Sequence, residues 1–149
     1  GIKRMIEYID LVNSSEYGIL GFQMNHLPEK TWTKMDLFEH FNCMDDQTLN
    51  SGQMVGGINF TKKCDHSLKL IEKWRETVCD YHLVSNEPSI LPNDQSFNEN
   101  RHDQSIFSLL IKTMGGTCIP DETYTVPFLY ESINLPIWAT RHSSNDMII

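Results

Sequence analysis

The sequence predicts an α/β fold, a mixed sheet flanked by helices. Stretches whose apolar residues recur at helical spacing alternate with short apolar runs of strand length, the order expected of helices packed on a sheet. The 149 residues are 40% hydrophobic and 21% charged, enough for one core and too few for two comfortable domains. No period of the kind that marks stacked repeats is present.

The elements follow in order. Ile2, Met5, Ile6, Ile9 and Val12 recur at helical spacing with Lys3, Arg4, Glu7 and Asp10 between them, predicting an amphipathic helix closed by Asn13-Ser14-Ser15. Residues 18–24 are a short apolar run bounded by Gly18 and Asn25, and read as a strand. Thr31 or Thr33 is the expected cap of a second helix carrying Met35, Leu37, Phe38 and Phe41. Residues 43–53 are polar and turn-rich.

Residues 54–60 read as a buried strand with a double glycine. Asp65 is the expected N-cap of the clearest helix, with Leu68, Ile71, Trp74, Val78 and His82 as its inner stripe and Cys79 as a buried free thiol. Residues 84–100, with Pro88 and Pro92, form a loop longer than usual connections, which marks function or mobility. A further helix begins near Asp103, runs through Ile106, Phe107, Leu110, Ile111 and Met114, and stops at Gly115-Gly116. Short segments broken by Pro120, Pro127 and Pro136 lead to a polar tail at 141–149.

Charge and composition narrow the function. Twelve Lys and Arg against 20 Asp and Glu leave a net charge of −8, which removes the electrostatic basis for nucleic-acid binding. An acidic chain that handles a phosphorylated ligand needs a divalent cation between the two negative partners. No run approaches the roughly 20 apolar residues of a membrane helix, and no signal peptide opens the chain. A cytoplasmic location is the expectation. The Asn13-Ser14-Ser15 and Asn59-Phe60-Thr61 sequons would matter only in a secretory compartment. Cys43, Cys64, Cys79 and Cys118 form no Cys-x-x-Cys pair, and the six histidines form no His-x-x-x-His pair, so neither set predicts a metal site.

The phosphate loop, the dinucleotide fingerprint, the nucleophile elbow and the His-Glu-x-x-His motif are all absent. What remains is Arg101-His102-Asp103-Gln104-Ser105, where a polar loop meets an apolar helix. A helix N-terminus favours an ionised Asp103, and Arg101 and His102 supply donors for a sugar hydroxyl or a phosphate oxygen. The same Asp103 serves equally as a plain N-cap. Gly56-Gly57 marks either close approach of a ligand or a bulge. Trp32, with Lys30 and Lys34, would stack on a sugar ring and reach phosphate, or simply staple the following helix. Trp74 reads as core.

Taken together these segments resemble the nucleotide-sugar glycosyltransferases of the GT-A fold. The resemblance rests on residues 50–60 with their Asn50-Ser51-Gly52 start and Gly56-Gly57 pair, the helix from Ser67 to Trp74, and Arg101-His102-Asp103-Gln104. Glycogenin-like transferases share the Asn-Ser-Gly strand start and a later Asp-Gln pair. An uncharacterised viral and microbial group is still more similar, through Trp32-Thr33-Lys34-Met35-Asp36 and Arg101-His102-Asp103-Gln104-Ser105. The resemblance covers residues 1–140 and implies the C-terminal portion of a single, partial GT-A-like domain with a mixed sheet, followed by the tail at 141–149.

The resemblance also implies roles. Gly56 and Gly57 line the donor pocket, Asp103 and Gln104 are the catalytic pair, and Trp32, Lys34, Arg101 and His102 bind substrate. The partners would be a nucleotide-sugar donor and a glycan or other hydroxyl acceptor, with Mn²⁺ or Mg²⁺ expected in the complete enzyme. The chain departs from the family in having no Asp-x-Asp metal motif, Asp45-Asp46 being an adjacent pair, and no His-x-x-Gly-x-Lys element. With its opening Gly1, it reads as a piece of a longer chain. The implied reaction moves a glycosyl unit to a hydroxyl, Asp103 acting as base or as support for a cationic sugar centre. The alternative is a non-catalytic carbohydrate-binding or interaction module derived from such an enzyme.

Overall fold

A computed structural model describes residues 1–123 and 133–139. The expected segment around Pro127 and the tail at 141–149 lie outside the described residues. The fold is mixed α/β, with a three-stranded sheet in the order β2-β1-β3 flanked by helices. Central β1 (Ile19–Pro28) pairs antiparallel with β2 (Gly52–Thr61) and parallel with β3 (Thr117–Pro120).

One core cluster lies under α1 (Ile2–Ser14), where Tyr8 and Val12 meet Leu20, Phe22, Met24 and Val55. The Tyr8 ring stands edge-on to Phe22 with centroids 5.3 Å apart. Ser15 closes α1 as expected. The buried line runs through Tyr8, however, and Ile2, Ile6 and Ile9 are exposed. The aromatic residue offers more area to bury than an isoleucine and takes the sheet-facing position.

The second cluster holds α7 (His102–Met114), which packs on β2 and on α5 (Asp65–Val78). Every residue from Ser105 to Ile111 is buried, as befits a helix covered on several sides. Trp74 of α5 lies against Phe107 of α7, centroids 4.7 Å apart. The helix ends at Gly115, whose φ of 100° suits glycine.

The remaining elements correct several expectations. The second helix is two pieces, α2 (Glu29–Trp32) and α3 (Met35–His40). Neither threonine is an N-cap: Thr31 lies within α2, and Thr33 is its extended C-cap residue, whose hydroxyl donates to buried Glu29 at 2.7 Å. The polar stretch contains α4 (Asp46–Asn50), with Asp45 as its N-cap. Cys64, not Asp65, is the N-cap of α5. Leu68 and Ile71 are exposed, and Ser67, Leu70 and Thr77 face inward, because α5 turns only a narrow strip toward α7. His82 belongs to α6 (Tyr81–Val84), and Cys79 is exposed. All four cysteines are free thiols. No helix of the described residues is long and apolar enough to cross a membrane.

The loop leading into α7 is tied down. Buried Asp36 accepts the amides of Ile90 and Leu91 at 2.9 and 2.8 Å and pairs with His82 Nε2 at 2.6 Å. Burial would raise this carboxyl, but the Leu91 and Ile90 amides and His82 outweigh it and hold it below its ordinary value. Asn100 Nδ2 donates to the carbonyls of Leu83 and Ser85, fixing the far end of the loop.

Candidate functional site

Strand β2 loses step with β1 at its glycines. Pairing passes from Gly21↔Asn59 to Gln23↔Met54, so the stretch 55–58 bulges out of the ladder. A side chain at Gly56 would place its Cβ 2.7 Å from Gln104 Cβ, so only glycine lets α7 approach this closely. A Cβ at Gly57 would meet nothing within 4 Å. The two adjacent glycines thus divide the two readings open in the sequence: Gly56 serves packing and Gly57 faces open space.

Gln104 is held from both ends of its amide. Oε1 accepts the Gly56 amide at 3.1 Å, and Nε2 donates to Gln53 Oε1 at 2.5 Å. Gln53, fully buried, reaches with its own Nε2 the Trp32 carbonyl and the hydroxyls of Thr33 and Ser105 at 3.1–3.2 Å. Behind it Glu29, also fully buried, accepts from Lys112 Nζ at 2.6 Å, from Thr33 and from Ser108. Burial pulls the Lys112 ammonium down, opposed by the Glu29 carboxylate. The geometry of Gln104 is therefore set by a connected buried polar network.

In front of this support lies a cleft of about 550 Å³. Trp32, Gly57, Arg101 and Gln104 line it, four of the residues expected at the site. The Arg101 guanidinium lies over the Trp32 ring, 4.1 Å from its centre. Their backbones are joined as well, the Arg101 amide donating to the Trp32 carbonyl at 3.1 Å. Apolar walls come from Met24, Leu27, Val55 and Ile58, and His26 adds a ring at the end of β1.

The other expected residues lie elsewhere. Asp103 is exposed and borders a shallow groove with Ile71, Trp74, Arg75 and Val78 on the α5 side. It is not the N-cap either; that position belongs to Arg101, which leaves Asp103 in the first turn, where a carboxylate complements the helix dipole. His102 takes a φ of 53° and its Nδ1 pairs with the Val84 carbonyl at 2.8 Å. Lys34 is not free to reach a phosphate: it is buried, and its Nζ donates to the carbonyls of His82 and Glu87 at 2.5 and 2.9 Å. Burial lowers its pKa, against the pull of Asp36, Glu87 and Asp80.

Sequence reasoning passed over His26 and Gln53. His26 carried a signal, a polar ring at the end of an apolar strand. Gln53 carried none, since a glutamine beside Gly52 reads as turn. Among the described residues no three His, Cys, Asp or Glu side chains converge, and His26 is the cleft's one side chain of that kind. These residues do not fit a divalent cation. Compared with known protein families, with curated proteins and with solved structures, the chain matches none.

Proposed function

We propose that the cleft binds a sugar, and that the chain serves a glycosyltransferase that moves a sugar from a nucleotide-diphosphate donor to a hydroxyl acceptor. The supporting observation is the juxtaposition of Trp32, Gly57, Arg101 and Gln104 on one cleft. Its volume of about 550 Å³ falls within the usual range of small-molecule sites. An indole and aliphatic walls suit the C–H faces of a pyranose. A glutamine amide held by Gly56 and Gln53 keeps one N–H and one lone pair for a hydroxyl. In transfer, the bond from the anomeric carbon to the diphosphate breaks with its electron pair on the leaving group. The acceptor oxygen takes its place, and its proton passes to water or to the departing diphosphate. Gln104 orients the sugar in this reading, and any divalent cation is held by residues outside the described ones.

A second reading, a non-catalytic carbohydrate-binding module, is favoured by one observation: no carboxylate of the described residues lines the cleft, Asp103 lying on the other side of the helix. Asp103→Asn and Gly57→Leu in the intact protein separate the two. The transferase reading expects sugar release from a labelled nucleotide sugar in the presence of Mn²⁺, lost in Gly57→Leu with an unchanged melting temperature. Loss of turnover in Asp103→Asn with intact sugar binding assigns the acceptor side to the Asp103 groove. Sugar binding that is blocked by Gly57→Leu, with no turnover of any nucleotide sugar, makes the module reading correct.

A further inference from the structure

We propose that the Arg101–Trp32 corner of the cleft anchors a carboxylate carried by the bound sugar, so that the preferred ligand is a uronic acid or similarly carboxylated sugar rather than a neutral hexose. The proposal rests on the reading of the cleft as a sugar site and adds the chemical class of the sugar.

The cleft runs against the charge of the whole protein. The chain as a whole carries 20 acidic and 12 basic residues. Among the described residues the cleft is lined by no Asp or Glu, and Arg101 is the one guanidinium or ammonium they bring to it. A low-dielectric wall of Met24, Leu27, Val55 and Ile58 strengthens the field of that single charge.

Arg101 is also pre-positioned. Its guanidinium carbon lies over the Trp32 ring, and its amide is tied to the Trp32 carbonyl and to the Ser105 hydroxyl at 3.1 and 3.0 Å. Among the described residues its one ion pair is long. Nε is buried and has no hydrogen-bond partner, and Glu99, the nearest carboxylate, stands 3.6 Å from it on a half-exposed side chain outside the cleft. A guanidinium held over an indole at the wall of a cleft is a strong anchor for a planar oxyanion.

The charge count selects among anions. One guanidinium balances one carboxylate. A phosphate, near −2, would call for a second cation; of the two lysines that flank Trp32 at two residues' distance, Lys30 does not line the cleft and Lys34 is buried on the carbonyls of His82 and Glu87. The rest of the lining supplies what a sugar ring needs: the indole and aliphatic walls for its C–H faces and Gln104 for a hydroxyl.

The test titrates the intact protein with methyl β-glucuronide, methyl β-galacturonide, methyl β-glucoside and inorganic phosphate. Binding is read by the chemical shift of the Trp32 indole N–H, assigned with Trp32→Phe, at physiological ionic strength. The expected result is affinity for a uronide about tenfold or more above that for the glucoside, as a charge-assisted hydrogen bond supplies. Arg101→Gln should abolish that preference, and Gly57→Leu should block both glycosides. Melting curves of the variants exclude a folding defect, and Arg101→Lys should retain part of the preference as a check on fold. Equal affinity for uronide and glucoside, both blocked by Gly57→Leu, overturns the carboxylate proposal and leaves the sugar reading standing. Phosphate binding tighter than either uronide overturns the choice of a monoanion. If no glycoside moves the Trp32 signal, the sugar reading fails and this proposal fails with it.

Discussion

Gln104 and Asp103 are neighbours in one motif and occupy different environments. Gln104 sits between a bulged strand and a buried network and looks into the cleft formed with Trp32, Arg101 and Gly57. Asp103, one residue earlier, projects about 100° away around the helix into a groove shared with Trp74 and Arg75. A short motif at a helix start therefore cannot be read as a single site. Consecutive side chains face different neighbours, and the packing partners decide which one meets a ligand. The cleft side is built on close packing and buried polar links; the groove side is a solvent-exposed edge.

That difference can be broken at its root. Removing Glu29 leaves Lys112 buried without its carboxylate and strips acceptors from Thr33 and Ser108. Glu29→Ala should destabilise the fold by about 3–5 kcal/mol, measured by chemical denaturation, and should loosen Gln104. A loss well under that range would mean that the network does not support the cleft. A smaller effect is expected where the incoming loop is latched. Asp36→Asn should cost about 1–3 kcal/mol at neutral pH. The folded carboxyl lies below the unfolded value of about 3.9, so its contribution is full above that pH and fades as the pH falls through the lower folded value. Melting temperatures of the wild type and Asp36→Asn should accordingly converge in acid. A gap that stays constant down to pH 2–3 would show that the Asp36 charge contributes nothing.

The sharpest comparison is between adjacent glycines. Gly56→Ala presses a methyl group into the Gln104 stem and should cost about 1–3 kcal/mol. Gly57→Ala enters open space and should change stability by no more than about 0.5 kcal/mol. Similar melting temperatures for the two variants would contradict the close approach of β2 and α7.

Much of the framework was legible because it depends on local periodicity. The helical repeat of Ile106, Phe107, Leu110 and Ile111 and the punctuation by Gly115 locate α7, and the apolar runs locate β1 and β2. The outward faces were less legible. Leu68 and Ile71 lie on a helical stripe as apolar as the true inner one, and only the narrow contact with α7 exposes them. Likewise Thr33 carries the chemistry of a cap, yet the buried Glu29 carboxylate claims its hydroxyl.

The sequence by itself determined the α/β class, the acidic charge, and the meeting of a polar loop with a buried helix at Arg101–Ser105, because composition and short-range spacing act within a few residues. Only the tertiary structure decided that Trp32, Gly57, Arg101 and Gln104 share a cleft while Asp103, His102 and Lys34 do not. That sorting depends on a strand bulge, a guanidinium held over an indole and a buried hydrogen-bond network. Each joins residues far apart in the chain, and their contact energies exist only once the chain has folded.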